Sequence, residues 1–131
     1  MTHYENELDK IRSTVYSNEG QINTVIRIRN YIENNYEVNL NLDVLSNAHF
    51  VSKFHLIRLF KKYYGQTPRQ YLIEKRIEKS KEHLINNVSV TETCFAVGFE
   101  SLGSFSTLFK TKTGKSPTEF QKEQFSRSML T

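Results

Sequence analysis

Apolar residues recur along this chain at the three- and four-residue intervals of helices that bury one face. Tyr4, Leu8, Ile11 and Val15 form a narrow first stripe, expected to break near Asn18 and Gly20. Val25, Ile28 and Ile32 mark a helix over 22–35, closed by Asn34-Asn35 before the connection NYEVNLN. A short helix over 42–48, with Asn41 as candidate N-cap, leads through His49 and Phe50 to a longer helix from Ser52 to Tyr64. Its inward face is Leu56, Leu59, Phe60 and Tyr63, and Gly65 ends it. Short helix, tight turn and longer helix make the helix-turn-helix pattern.

Thr67-Pro68 opens a further helix to about Asn86, with Ile73, Ile77 and Leu84 inward, Lys75, Lys79 and Lys81 mostly outward, and Ser80 or its neighbours allowing close packing. At ~1.5 Å per residue it spans about 28 Å. A second short helix, 90–97, is capped by Ser89, and Gly98-Phe99 turns it into a helix over 101–113 ended by Gly114. Ser116-Pro117 then opens a final helix to about Ser126. At a fixed offset of 49 residues, LFKKYYGQTPRQY (59–71) lies over LFKTKTGKSPTEF (108–120). At the same offset Phe50, Ser52, Phe60, Lys61, Gly65 and Pro68 match Phe99, Ser101, Phe109, Lys110, Gly114 and Pro117, and Leu56 faces Phe105. The expected fold is all-α, about seven helices forming two helix-turn-helix subdomains joined by a long linker helix. The expected organisation is an N-terminal extension (1–21), a first lobe (22–66), the linker helix (67–87) and a second lobe (88–131).

Composition narrows the function. The 131 residues, 37% hydrophobic and 24% charged, with five Gly and two Pro, exclude disorder and a large multidomain enzyme. No apolar run reaches the ~20 residues of a spanning helix, and the start MTHYENELDK lacks an apolar signal core, so a cytoplasmic protein is expected. The single Cys94 permits neither an internal disulfide nor a multi-cysteine zinc site, and its mid-helix position points to burial. His3, His49, His55 and His83 have no metal-ligand spacing, and neither a phosphate loop nor a carboxylate pair is present. No enzymatic activity, cofactor or metal is therefore expected. His55, on the first turn of its helix, reads as a helix-end or phosphate contact.

Net charge is +4, but residues 1–48 carry four Lys/Arg against seven Asp/Glu, whereas residues 49–131 carry fourteen against seven. A basic body suggests an anionic partner, although a solvated helical surface would look similar. The outward face of the first longer helix holds Lys53, Phe54, Ile57, Arg58, Lys61 and Lys62. Among cations, Phe54 and Ile57 suit thymine methyls, Arg58 a guanine edge and the lysines phosphates. The alternative is a solvated basic face with two partly buried apolar residues. The second helix presents Leu102, Gly103, Ser106, Thr107 and Lys110, leaving close approach, methyl contacts and phosphate binding through Ser101 and Lys110; a purely structural role is the alternative there.

The stretches SKFHLIRLFKKYYGQTPRQYLIEKRI and AVGFESLGSFSTLFKTKTGKSPTEF, within about residues 22–124, resemble the DNA-binding domain of the AraC/XylS family of bacterial transcription regulators. The resemblance rests on RLFK-x4-G-x2-P, its echo LFK-x3-G-x-SP, and the VGFES turn. It implies a seven-helix, two-lobed domain whose third and sixth helices enter neighbouring major grooves of bent double-stranded DNA. By motif position it points to Phe54, Ile57 and Arg58 in the first lobe and to Leu102, Gly103, Ser104 and Thr107 in the second. Thr107 stands where many members have arginine, Ser101 where aspartate is common, and Phe50 where the first turn often has glycine. The candidate DNA-facing set is thus Ser52, Lys53, Phe54, Ile57, Arg58, Lys61, Lys62, Ser101, Leu102, Gly103, Ser104, Thr107 and Lys110. The expected partner is double-stranded DNA bound by a monomer on an asymmetric site, with RNA polymerase a candidate protein partner and no membrane. The competing reading is a helical protein-interaction module whose basic faces bind an acidic partner.

Overall fold

The computed structural model describes residues 2–130, except for the side chains of 13–17, which include Val15 of the first stripe. The described residues form seven helices and no strand: α1 (His3–Asn34), α2 (Leu42–Ala48), α3 (Lys53–Tyr64), α4 (Pro68–Ile85), α5 (Val90–Ala96), α6 (Leu102–Thr113) and α7 (Pro117–Leu130). Among the described residues no helix is long and apolar enough to cross a membrane.

Helix α1 departs from the sequence expectation. It runs unbroken through Asn18 and Gly20 for 32 residues. The start is fixed by a reciprocal capping box, in which the Thr2 amide donates to Glu5 Oε2 and the Glu5 amide to Thr2 Oγ1, both at 3.2 Å. One internal glycine costs a helix only about 1 kcal/mol relative to alanine, too little to stop it between good flanks. The Thr24 hydroxyl also donates to the Gly20 carbonyl at 2.9 Å, one turn away. Helix α7 likewise runs past the expected Ser126 to Leu130.

The other boundaries follow local chemistry. Ser52, Ser89 and Ser101 are extended residues whose hydroxyls accept from the amides of His55, Glu92 and Ser104, capping α3, α5 and α6. Ser116 does the same for Glu119 at the start of α7. At the other end of α3 and α6, Gly65 and Gly114 take left-handed conformations (φ 69° and 84°) and return their amides to the carbonyls of Lys61 and Lys110.

The chain divides into two compact units, Met1–Tyr31 with Leu42–Pro68, and Ile32–Asn41 with Arg69–Thr131. In the first, Val25, Ile28, Leu45, Leu56, Leu59 and Phe60 are buried, and α2 packs against α3. The C-terminal end of α3 is tied to α1, since Lys62 Nζ and the Tyr63 hydroxyl both donate to Gln21 Oε1, at 3.1 and 3.2 Å. In the second unit Ile77, Leu84, Cys94, Val97, Phe99, Phe105 and Phe109 form one core, with Tyr36, Ile73, Val90, Leu108 and Phe120 packed against it. The aromatic rings run in series, Phe99 to Phe105 to Phe109 to Phe120, with centroids 5.2–5.7 Å apart. Ser80 is buried, as expected for close packing, and its hydroxyl donates to the Ile77 carbonyl at 2.6 Å. Lys75, Lys79 and Lys81 are half-buried, less outward than their spacing suggested. Cys94 is fully buried, which pushes its thiol pKa up.

Two polar anchors in the second unit were not foreseen. Arg76 on α4 donates through Nε to the Tyr36 carbonyl at 2.7 Å and through Nη2 to the Val38 carbonyl at 2.8 Å, while lying 5.6 Å from the Phe99 ring centre. Its burial lowers the guanidinium pKa, Glu100 opposes that shift and Arg69 adds to it. Gln121 on α7 donates to the carbonyls of Leu84 and Val88, satisfying the end of α4.

Phe60 and Phe109 are each completely buried at the centre of their units. Phe60→Ala and Phe109→Ala should each cost roughly 3–5 kcal/mol, a large share of the stability of a small domain. Thermal melts should show a large drop in Tm for both, and unchanged melting would refute the assigned helix faces.

Candidate nucleic-acid interface

Burial of one face of α3 forces the opposite face outward. Leu56, Leu59 and Phe60 are buried, and the remaining positions place Lys53, Phe54, Arg58, Lys61 and Lys62 at the surface, with Ile57 half-buried. Phe54 is 87% exposed, an unusual state for a large ring. Ser52, Phe54, His55, Ile57, Arg58 and Lys61 line one open, shallow depression along this face. His55, outside the candidate set above, thus lines the same depression, and its Nδ1 lies 3.5 Å from Arg58 Nη2.

The cations on this face are held differently. Lys53 pairs with Asp43 of α2. Lys62 is drawn to Gln21 and lies 5.2 Å from the Tyr63 ring centre. Lys61 has no ion-pair partner among the described residues and stands exposed beside Arg58 on the helix surface.

On α6, Phe105 and Phe109 are buried and Ser101, Leu102, Gly103, Ser104, Thr107 and Lys110 are exposed. Ser106 is half-buried. Ser101 spends its hydroxyl on the Ser104 amide, 3.2 Å away, as N-cap. A Cβ added at Gly103 would meet nothing within 4 Å, so internal packing does not require a glycine there. Lys112 pairs with Glu74 at 3.8 Å and Lys115 with Glu123, whereas Lys110 has no ion-pair partner among the described residues.

The two turns are alike in backbone and different in length. In the first, the Val51 amide donates to the Ser46 carbonyl; in the second, the Phe99 amide donates to the Cys94 carbonyl, both at 3.1 Å. That equivalence has an offset of 48, whereas α3 and α6 are related by 49, so the second turn holds one more residue before its helix. The sequence match of Phe50 with Phe99 is corrected accordingly. Phe99 is the counterpart of half-buried Val51 and sits in the core, while Phe50 is the counterpart of Gly98. Both of those residues have positive φ, 55° and 102°. Gly98 has no alternative, because a Cβ there would lie 2.7 Å from the Tyr36 carbonyl oxygen and 3.0 Å from the Arg76 guanidinium. Phe50 takes the left-handed conformation with its ring 96% exposed. Its neighbour His49 packs edge-on against Tyr31, centroids 5.3 Å apart, and burial, helped by the Arg27 charge, lowers the His49 pKa and favours the neutral ring.

Residues 45–123 match the helix-turn-helix domain family. The C-terminal domain of the two-component response regulator YesN from Fusobacterium nucleatum superposes with a TM-score of 0.72 at 34% identity, over 76% of this chain and 98% of that one. An AraC-type DNA-binding domain-containing regulator from Chromobacterium violaceum gives 0.72 at 27% identity, over 81% and 96%. This chain belongs to the AraC-type helix-turn-helix family. An uncharacterized HTH-type transcriptional regulator from the cgkA 5′ region of Pseudoalteromonas carrageenovora is 39% identical over 92 residues, 70% of this chain and 55% of that protein. The chain spans about half the length of the curated relatives it matches.

A left-handed conformation costs a residue with a Cβ about 1–2 kcal/mol, part of which glycine returns as its own entropy loss. Phe50 buries almost nothing in exchange. Phe50→Gly should therefore leave the fold intact and raise Tm by a few degrees. A clear fall in Tm would show that the ring supports the turn.

Proposed function

We propose that this chain is a sequence-specific, double-stranded DNA-binding unit of a transcription regulator, presenting α3 and α6 to two adjacent major grooves. The observation that carries this reading is the outward face of α3, where exposed Phe54 and half-buried Ile57 sit among Ser52, His55, Arg58 and Lys61. Exposed apolar groups interleaved with cations fit base edges and phosphates better than they fit bulk water. On α6, the open space at Gly103 beside Leu102, Ser104 and Thr107 supports close approach of a DNA backbone or groove floor. The relatives' role as transcriptional regulators points the same way. Two unlike reading helices in tandem on one chain suit an asymmetric site occupied by one copy, in the cytoplasm and on the nucleoid. RNA polymerase is the proposed protein partner where such a site adjoins a promoter. Selection of sites from random duplexes tests the reading directly. An enriched asymmetric site of about two groove widths is expected, and no enrichment over random duplex overturns it.

Affinity should fall with salt, at a log-log slope of about −0.9 per phosphate neutralised. Lys61→Ala and Lys110→Ala should each flatten that slope by about 1. Lys112→Ala and Lys115→Ala should change it less, because Glu74 and Glu123 already hold those cations. A salt-independent affinity would count against DNA.

The two helices should contribute unequally. A guanidinium can bond a guanine edge at two points, worth about 1–3 kcal/mol against the wrong base, whereas Leu102, Gly103 and Thr107 offer methyl groups and one hydroxyl. Arg58→Ala should relax preference at one or two positions of the selected site, and Thr107→Ala should change the profile little. Thr107→Arg should add a guanine preference in the second half. A profile in which Thr107→Ala erases more information than Arg58→Ala would sink this assignment.

A further inference from the structure

Helix α1 starts at His3, but the first fully buried side chain described on it is Val25. Ahead of Val25, Tyr4 is 72% and Ile11 58% exposed, and Leu8 is half-buried. Apolar residues in line on a capped helix, with no buried core residue among the described side chains ahead of Val25, mark a surface that meets something else.

The spacing says what kind of surface it is. Tyr4, Leu8, Ile11, Val15, Asn18 and Ile22 follow one another at four, three, four, three and four residues, the strict seven-residue repeat of a coiled-coil seam. Leu8, Val15 and Ile22 take the a positions, and Tyr4, Ile11 and Asn18 the d positions. Glu7 then falls at g and Arg12 at the following e. In a parallel, in-register pair of identical helices, g of one strand faces the next e of the other, so Glu7 meets Arg12 of the second copy twice over. An antiparallel pair with full overlap would instead set Arg12 against Arg12. Glu7 also lies 3.7 Å from Lys10 of its own helix, an exposed contact that leaves its carboxylate accessible.

We infer that the N-terminal part of α1, from Tyr4 to about Ile22, pairs with the same segment of a second copy as a short parallel coiled coil. The seam stops there because Gln21 is already engaged by Lys62 and Tyr63, and Val25 is buried in the first unit. Fewer than three heptads associate weakly by themselves, so the pairing acts mainly when two copies are held close, as on neighbouring binding sites. Each copy still occupies its own asymmetric site; the inference concerns α1 and stands independently of what α3 and α6 read.

The test uses the full chain without DNA. Sedimentation equilibrium over a wide concentration range should show a reversible monomer–dimer equilibrium. Leu8→Asp combined with Ile11→Asp should abolish it while leaving the thermal melt of the domain in place, since neither position is buried in a core. Glu7→Arg or Arg12→Glu alone should weaken the dimer several-fold, and the two together should restore it. In a Cys94→Ala background, Asn18→Cys should oxidise to a covalent dimer, and Asn6→Cys, on the opposite side of the helix, should not. The inference is overturned if the chain stays monomeric to the highest soluble concentration and Asn18→Cys cross-links no faster than Asn6→Cys. A dimer that survives the double aspartate, or that the paired charge exchange fails to restore, overturns it as well.

Discussion

The arrangement depends on the burial of one stripe of each longer helix. Leu56 and Phe60 on α3, and Phe105 and Phe109 on α6, have no exposed surface. Because α-helical positions are locked together by 3.6 residues per turn, fixing those side chains inward fixes the opposite side chains outward. The candidate DNA-facing residues need no separate device to hold them out. Serine caps at Ser52 and Ser101 and left-handed glycines at Gly65 and Gly114 then set where each reading helix begins and ends. The cost of truncating the central phenylalanines is thus a cost to the candidate DNA-facing surface as well as to stability.

The two halves use that scheme under different local demands. In the second unit the turn is crowded, since the Arg76 guanidinium and the Tyr36 carbonyl come so near Gly98 that only glycine fits. The same guanidinium satisfies two carbonyls of the connection after α1 and lies against Phe99. One side chain on α4 therefore links the turn, the connection and the core within that unit. In the first unit a phenylalanine occupies the left-handed position of the turn with its ring in solvent. The chemistry of the outward faces diverges in parallel: α3 carries an arginine, a histidine and two large apolar groups, and α6 offers small residues and open space.

Charge distribution refines which cations can serve a ligand. Lysines are not equivalent merely because they are exposed. Lys53, Lys62, Lys112 and Lys115 already have partners within their own unit, whereas Lys61 and Lys110, related by the internal repeat, have no ion-pair partner among the described residues. Exposed ion pairs are weak and exchangeable, so a phosphate can compete for those lysines, but it gains less from them than from an unengaged one.

The sequence alone determined the helical class, the two-fold repeat and most helix limits, because these rest on local signals: apolar spacing, serine and proline at helix starts, glycine at helix ends. The inward residues Leu56, Leu59, Phe60, Phe105 and Phe109 were legible for the same reason. Tertiary structure decided what those signals do not encode. It placed Arg76 and Gln121 on carbonyls that lie 33–40 residues away in sequence. It also shifted the equivalence of the two turns by one residue, turning Phe50 from a core counterpart of Phe99 into an exposed left-handed residue. A fixed-offset comparison counts residues along the chain, whereas burial, ion pairing and backbone hydrogen bonds depend on which distant segments the folded chain brings together.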